Sequence, residues 1–114
     1  MLKVRRVTAA IQALVYLEQL YDGSPVSLAT LSQASSLSLS YLEQIFSRLL
    51  ARQLVFSHKG PGGGYSLAVK NITVADVFRA VNDAPQADML VPIIQALETV
   101  SISQLAQCAP PVTS

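Results

Sequence analysis

Four of the five glycines in this chain fall within five consecutive residues, Gly60-Pro61-Gly62-Gly63-Gly64, and that run limits what its neighbours can be. Glycine reaches left-handed and other conformations that a Cβ forbids, so the run reads as a tight reversal. Leu54 to Ser57 and Tyr65 to Ala68 flank it as two short strands, and His58-Lys59-Gly60-Pro61-Gly62-Gly63-Gly64 closes them into a hairpin. A nucleotide-binding loop would need its glycines to lead into a helix whose free amides hold phosphate. Here they lead into a strand and no Gly-Lys-Ser/Thr sequence occurs, which argues against nucleotide binding.

Upstream the apolar spacing is helical. Val7, Ile11, Leu14 and Leu17 to Leu20 recur at three- and four-residue intervals, predicting a helix over Thr8 to Tyr21 that Gly23 and Pro25 end. Ser27 is placed to cap a short second helix with Leu28 and Leu31 inward and Ser35-Ser36 as its break. Ser38 or Ser40 caps a third, and Ser40 with Glu43 also fits a reciprocal capping box. Leu42, Ile45, Phe46, Leu49 and Leu50 make its buried face; Tyr41, Gln44, Ser47, Arg48, Ala51 and Arg52 make the opposite one. Beyond the hairpin, Thr73 caps a fourth helix with Val74, Val77, Phe78 and Val81 on one face, stopped by Asp83-Ala84-Pro85. A further helix over 88–100 presents Leu90, Ile93, Ile94 and Leu97, with Pro92 in its first turn. Ser101 caps one last turn holding Ile102 and Leu105, and the tail from Ala109 reads as disordered.

A chain of 114 residues supports one core, and 51% hydrophobic with 13% charged residues favours a filled core over disorder. Gln12, Glu18, Pro92, Gln95 and Glu98 interrupt every apolar stretch before membrane-spanning length, so no membrane partner is expected. Lys3, Arg5 and Arg6 precede apolar residues as in a secretory signal, but no small-residue cleavage site follows, and an ordinary first helix is the expectation. The single cysteine, Cys108, allows neither an internal disulfide nor a four-cysteine metal cage; an inert thiol and a cytoplasmic location are expected. The net charge of +1 conceals an asymmetry: residues 1–70 carry seven basic against three acidic side chains, and residues 71–114 one against four. The front half suits phosphate and the rear half suits protein.

Two helices joined by a tight turn, then a glycine-tipped hairpin with a cation, form the order of a winged helix-turn-helix. In that arrangement the third helix enters the major groove, where Gln44 could pair with adenine and Arg48 with guanine or phosphate. Ser38, Ser40 and Tyr41 at its start would hold phosphates, and Lys59 with Gly60 at the wing tip would reach the adjacent minor groove. Arg6, from the basic start, is counted with the DNA-facing set. Glu43 is structural if it caps and a cytosine acceptor if it enters the groove. Tyr41 also reads as a rim residue of the core, and Arg48 and Arg52 as a solvated face. The competing reading is a winged-helix module that binds protein through its wing and acidic rear. No enzyme is expected: His58 is the only histidine, no acid lies near it in sequence, and backbone or solvent is its expected neighbour.

Leu37-Ser38-Leu39-Ser40-Tyr41-Leu42-Glu43-Gln44-Ile45-Phe46-Ser47-Arg48-Leu49 and Gly60-Pro61-Gly62-Gly63-Gly64-Tyr65 closely resemble the iron-sulfur-cluster regulator family of bacterial winged-helix repressors. Pro25 to Ala29 and Ile72 to Asp83 also match that family, so the resemblance covers nearly the whole chain. It implies a mainly α fold with a small β-hairpin: a winged helix-turn-helix over 1–83, a dimerisation helix and last turn over 84–107, and a disordered tail over 108–114. It further implies a homodimer on a pseudo-palindromic operator in double-stranded DNA, with Leu90, Ile93, Ile94 and Leu97 in the dimer interface. Cluster-binding members carry three cysteines between the fourth helix and the dimer helix, where this chain has Ala84-Pro85-Gln86-Ala87. The expectation is therefore no iron-sulfur cluster or other cofactor, with control by a small-molecule or protein effector or by protein abundance alone.

Overall fold

A computed structural model describes residues 4–69, 71–81 and 98–108. The chain runs α1 (Val4–Leu20), α2 (Leu28–Ser35), α3 (Leu39–Ala51), β1 (Val55–His58), β2 (Gly64–Leu67), α4 (Val74–Val81) and α5 (Ile102–Cys108). Among the described residues no helix is long and apolar enough to cross a membrane.

α1 begins a turn earlier than its spacing predicted. Val7 already belongs to the buried stripe that continues through Ala10, Leu14 and Leu17, so the backbone is helical from Val4 and Thr8 sits inside, its hydroxyl donating to the Arg5 carbonyl. This stripe is the centre of the core. Leu31 of α2, Leu42, Ile45, Phe46 and Leu49 of α3, Val77 and Val81 of α4 and Ile102 of α5 are all fully buried in the same cluster. Each such aliphatic or aromatic side chain contributes about 1.5–3 kcal/mol by leaving water. Leu50, expected on the buried face of α3, is 39% exposed. It lies about 100° around the helix from Leu49, beyond the edge of the apolar stripe.

The turn between α2 and α3 is built from serine hydroxyls. Ser36 takes a left-handed conformation (φ 64°) that an L-residue enters at a cost of about 1–2 kcal/mol. Around it, buried Ser35 donates its hydroxyl to the Leu31 carbonyl and accepts from the Leu37 amide, and the Ser32 hydroxyl donates to the Leu37 carbonyl at 2.6 Å. Short polar side chains that bond their own backbone thus do here what glycine does elsewhere.

β1 and β2 pair antiparallel with Val55 opposite Leu67 and His58 opposite Gly64, one residue further toward the tip than expected at both strands. The expected outer rung survives as a bond from the Ala68 amide to the Leu54 carbonyl. Val26, between α1 and α2, adds a one-residue bridge on the free edge of β2, exchanging two backbone bonds with Tyr65 at 2.9 and 2.8 Å. The hairpin is therefore pinned to the segment that precedes α2.

α4 opens with a reciprocal cap in which the Thr73 amide donates to Asp76 and the Asp76 amide donates to the Thr73 hydroxyl. Ser101 and Gln104 repeat this at α5. A bridge between Thr73 and Ser101 brings the two starts together. α5 packs on α1, where the Gln19 amide donates to the Ala106 carbonyl and the Ser103 hydroxyl to Glu18. The expected single turn after Ser101 is thus a seven-residue helix reaching Cys108, the first residue of the expected tail. Residues 98–100, expected to end the 88–100 helix, form a turn instead. Leu90, Ile93, Ile94 and Leu97, the loop at Ala84 to Ala87 and the tail from Ala109 lie outside the described residues.

The approach of Gly64 to Val26 supplies a stability test. A Cβ at Gly64 (φ +155°) would stand 2.3 Å from the Val26 carbonyl oxygen, whereas one at Gly62 (φ +76°) would meet nothing within 4 Å. Gly64→Ala should lower the unfolding free energy in urea by about 3 kcal/mol and Gly62→Ala by about 1 kcal/mol. Equal costs would show that the bridge to Val26 does not constrain the wing.

Candidate nucleic-acid interface

The face of α3 opposite its buried side is continuous and polar. Ser40, Glu43, Gln44, Ser47 and Ala51 are exposed at helical spacing, and Tyr41 and Arg48 are half-buried along its margins. A helix about 10–12 Å across matches a major groove about 12 Å wide. Four buried side chains, Leu42, Ile45, Phe46 and Leu49, hold the helix so that this face stays outward.

The start of α3 settles which serine caps. Ser38 is extended (φ −66°, ψ 151°) and its side chain accepts from the Tyr41 amide at 3.1 Å. Ser40 already lies in the first helical turn, so the expected capping box of Ser40 with Glu43 does not form. Glu43 is left on the open face, and its carboxylate makes no ion pair among the described residues. Ser38, Leu39 and Ser40 are exposed, and the first intrahelical bond comes only at the Leu42 amide. The amides of Leu39 and Ser40 therefore precede the hydrogen-bonded turns, where a helix favours an anion.

The wing presents Lys59 and Gly60 exposed at its tip, where the Gly63 amide donates to the Gly60 carbonyl to close the reversal. The rings of Phe46 and Tyr65 pack with centroids 4.8 Å apart and so couple the core face of α3 to β2. Ser40, Tyr41, Glu43, Gln44 and Arg48 thus share one helix that Ser38 caps, and Lys59 and Gly60 share the hairpin packed beside it. Arg6 is placed differently: half-buried on α1, it donates to the Val81 carbonyl at the end of α4. Arg52 donates to the Arg79 carbonyl and remains exposed. His58 is exposed to solvent, as expected, and its Nε2 also lies 2.8 Å from the hydroxyl of Ser66. The alternating pattern that makes His58 and Ser66 same-face neighbours was present in the sequence, but only with the strand register known.

A core of packed helices with a pinned hairpin, an exposed polar helix and a cation at the wing tip defines the winged helix-turn-helix class of fold. Known proteins agree. Residues 4–110 match the model of the Rrf2 family, described as an iron-dependent transcriptional regulator. The chain belongs to the Rrf2 family and is an IscR-like member of it. It is 47% identical over 68 residues to the transcriptional regulator IscR of Escherichia coli K12, a match covering 58% of this chain. The chain spans under half the length of such curated relatives, 42% of IscR and 47% of a regulator from Azotobacter vinelandii. Among solved structures, IscR of T. potens superposes with a TM-score of 0.78 at 27% identity, covering 92% of this chain and 85% of that one. CymR of B. subtilis, named the global cysteine regulator, superposes with a TM-score of 0.80 at 26% identity, covering 96% of this chain and 100% of that one.

The family description names iron, and the donors in this chain do not fit a cysteine-held cluster. Such clusters rest on three or four thiolates, and this sequence has Cys108 alone. Nε2 of the only histidine is engaged by Ser66, and no three His, Cys, Asp or Glu side chains converge among the described residues.

The assignment of Ser38 as the cap is directly measurable. Ser38→Ala should cost about 1 kcal/mol in urea denaturation, and Ser40→Ala less than half of that. The reverse order would put the helix start at Ser40.

Proposed function

We propose that the chain binds a pseudo-palindromic operator in duplex DNA as a homodimer and represses transcription there, without an iron-sulfur cluster. The observation that carries this reading is the exposed polar face of α3 beside a wing tip that displays Lys59. Gln44 reads adenine in the major groove, Arg48 meets guanine or phosphate, and Glu43 accepts from cytosine. Ser38, Ser40 and Tyr41 hold the backbone at the start of α3, and Lys59 and Gly60 enter the adjacent minor groove. Arg6 acts at longer range from its seat against α4. The dimer seam is the apolar stripe Leu90, Ile93, Ile94 and Leu97, which places two reading helices about 34 Å apart, one turn of DNA. Control comes from a small-molecule or protein effector, or from the amount of protein.

A second reading has its own support: Leu39, Leu50 and Phe56 are 45%, 39% and 56% exposed. Apolar and aromatic anchors of this kind suit a protein-binding face. Selection of fragments from a random duplex pool separates the two. Recovery of an inverted repeat, bound with steep salt dependence, supports the regulator; no enrichment by folded protein favours the interaction module.

On a recovered operator, Lys59→Ala should weaken binding on all sequences alike and flatten the salt slope by about one. Gln44→Ala should cost about 1–3 kcal/mol and relax preference at one base pair. Anisotropy with single-base variants of the operator reads both, and identical profiles for the two substitutions would refute the assigned division of labour. Ile94→Glu should convert dimer to monomer in light scattering, because a charge in an apolar seam lacks a partner. An unchanged mass would place the interface elsewhere.

A further inference from the structure

Ser66 and His58 form a polar pair on the face of the wing that turns away from the core. Phe56 lies opposite Ser66 and His58 opposite Gly64, so His58 and Ser66 are diagonal neighbours on one side of the hairpin, while Tyr65 turns the other way onto Phe46. Ser66 is only 8% exposed, and its hydroxyl meets Nε2 of His58 at 2.8 Å. A hydroxyl both gives and takes a hydrogen bond, so this contact persists whether the imidazole is neutral or charged. The ring is held in place by Nε2, and Nδ1 has no hydrogen-bond partner among the described residues.

The surroundings decide what a proton on that ring would do. His58 is exposed and adjoins Lys59 at the wing tip. Arg48 and Glu43 stand on α3, and Asp22, in the connector after α1, lines a cleft with Gly62 and Gly63 while accepting from the Ser24 amide. None of these forms an ion pair with the imidazole. β2 offers it Ser66, which carries no charge.

We propose that His58 is a proton-linked phosphate contact of the wing. The proposal rests on the DNA-binding reading above and adds a side chain to it. A phosphate facing Nδ1 favours the form that donates from that nitrogen and carries positive charge. Binding then draws a proton from solvent onto the ring. A phosphate at that nitrogen makes the imidazole more basic in the complex than in the free protein, so the added affinity is complete at the acid end. It is lost as pH rises through the higher value imposed by phosphate. A shift of one unit gives about a tenfold change in affinity across that window, and the charged ring adds about 0.9 to the salt slope. His58 is the only histidine among the 114 residues, and substituting it separates its signal from the α-amino group and Cys108, which titrate toward the alkaline end.

The test is anisotropy of the full chain on a fluorescent duplex of mixed sequence at low salt, from pH 5.5 to 8.5, with circular dichroism to follow folding. The wild type should bind several-fold to tenfold more tightly at the acid end, with a steeper salt slope there. His58→Gln should lose the pH dependence, and His58→Arg should bind with the steeper slope at every pH. Binding by the wild type that is flat with pH, or a pH dependence that His58→Gln retains, overturns the proposal while the DNA reading stands. No binding of any duplex at any pH overturns both.

Discussion

The position of Tyr65 sets the relation between the two parts that face outward. Its backbone exchanges bonds with Val26 on one edge of β2, and its residue pairs with Ser57 on the other. Its ring packs on Phe46, which is fully buried beneath α3. Backbone bonds fix the wing relative to the connector before α2, and the ring contact fixes it relative to α3. Without both, the hairpin would be a two-stranded ribbon, marginal by itself in water. With them, Lys59 and the open face of α3 are held to one packed body.

The serine turn plays a comparable part between α2 and α3. A glycine at residue 36 would relieve the left-handed strain there but would widen the choices open to the unfolded chain. Ser32 and Ser35 instead spend their hydroxyls on backbone groups of the turn, so its shape follows from bonds that leave little freedom. The angle at which α3 is offered is thus set by local polar contacts, and the apolar core beneath it sets its depth.

Most of the fold was legible in the sequence because its signals are local. The apolar intervals of α1 and α3, the caps at Ser27, Thr73 and Ser101, and the glycine run each announce an element without knowledge of its neighbours. What escaped was relational. The start of α1 depended on Val7 finding a place in the core, and the choice between Ser38 and Ser40 on the backbone leaving Ser36. Leu50 looked buried by type and is exposed by angle. Of the interface, the spacing along α3 and the cation at Lys59 could be read directly. The seat of Arg6 against Val81 and the pairing of His58 with Ser66 could not, since both join residues that only the packing and the register bring together.

The bridge between Thr73 and Ser101 has a consequence for how such a chain can change. The backbones at Ile72 and Val100 are tied to Ile102 and Val74, and Arg79 pairs with Glu98. The described residues on either side of 82–97 are therefore fastened together as a neck. The entropy of closing an excursion grows only with the logarithm of its length, about 0.6 kcal/mol for each doubling. An excursion of a different length at that neck would therefore alter the closing cost little, and the packed body of α1 to α4 with its hairpin would keep its shape.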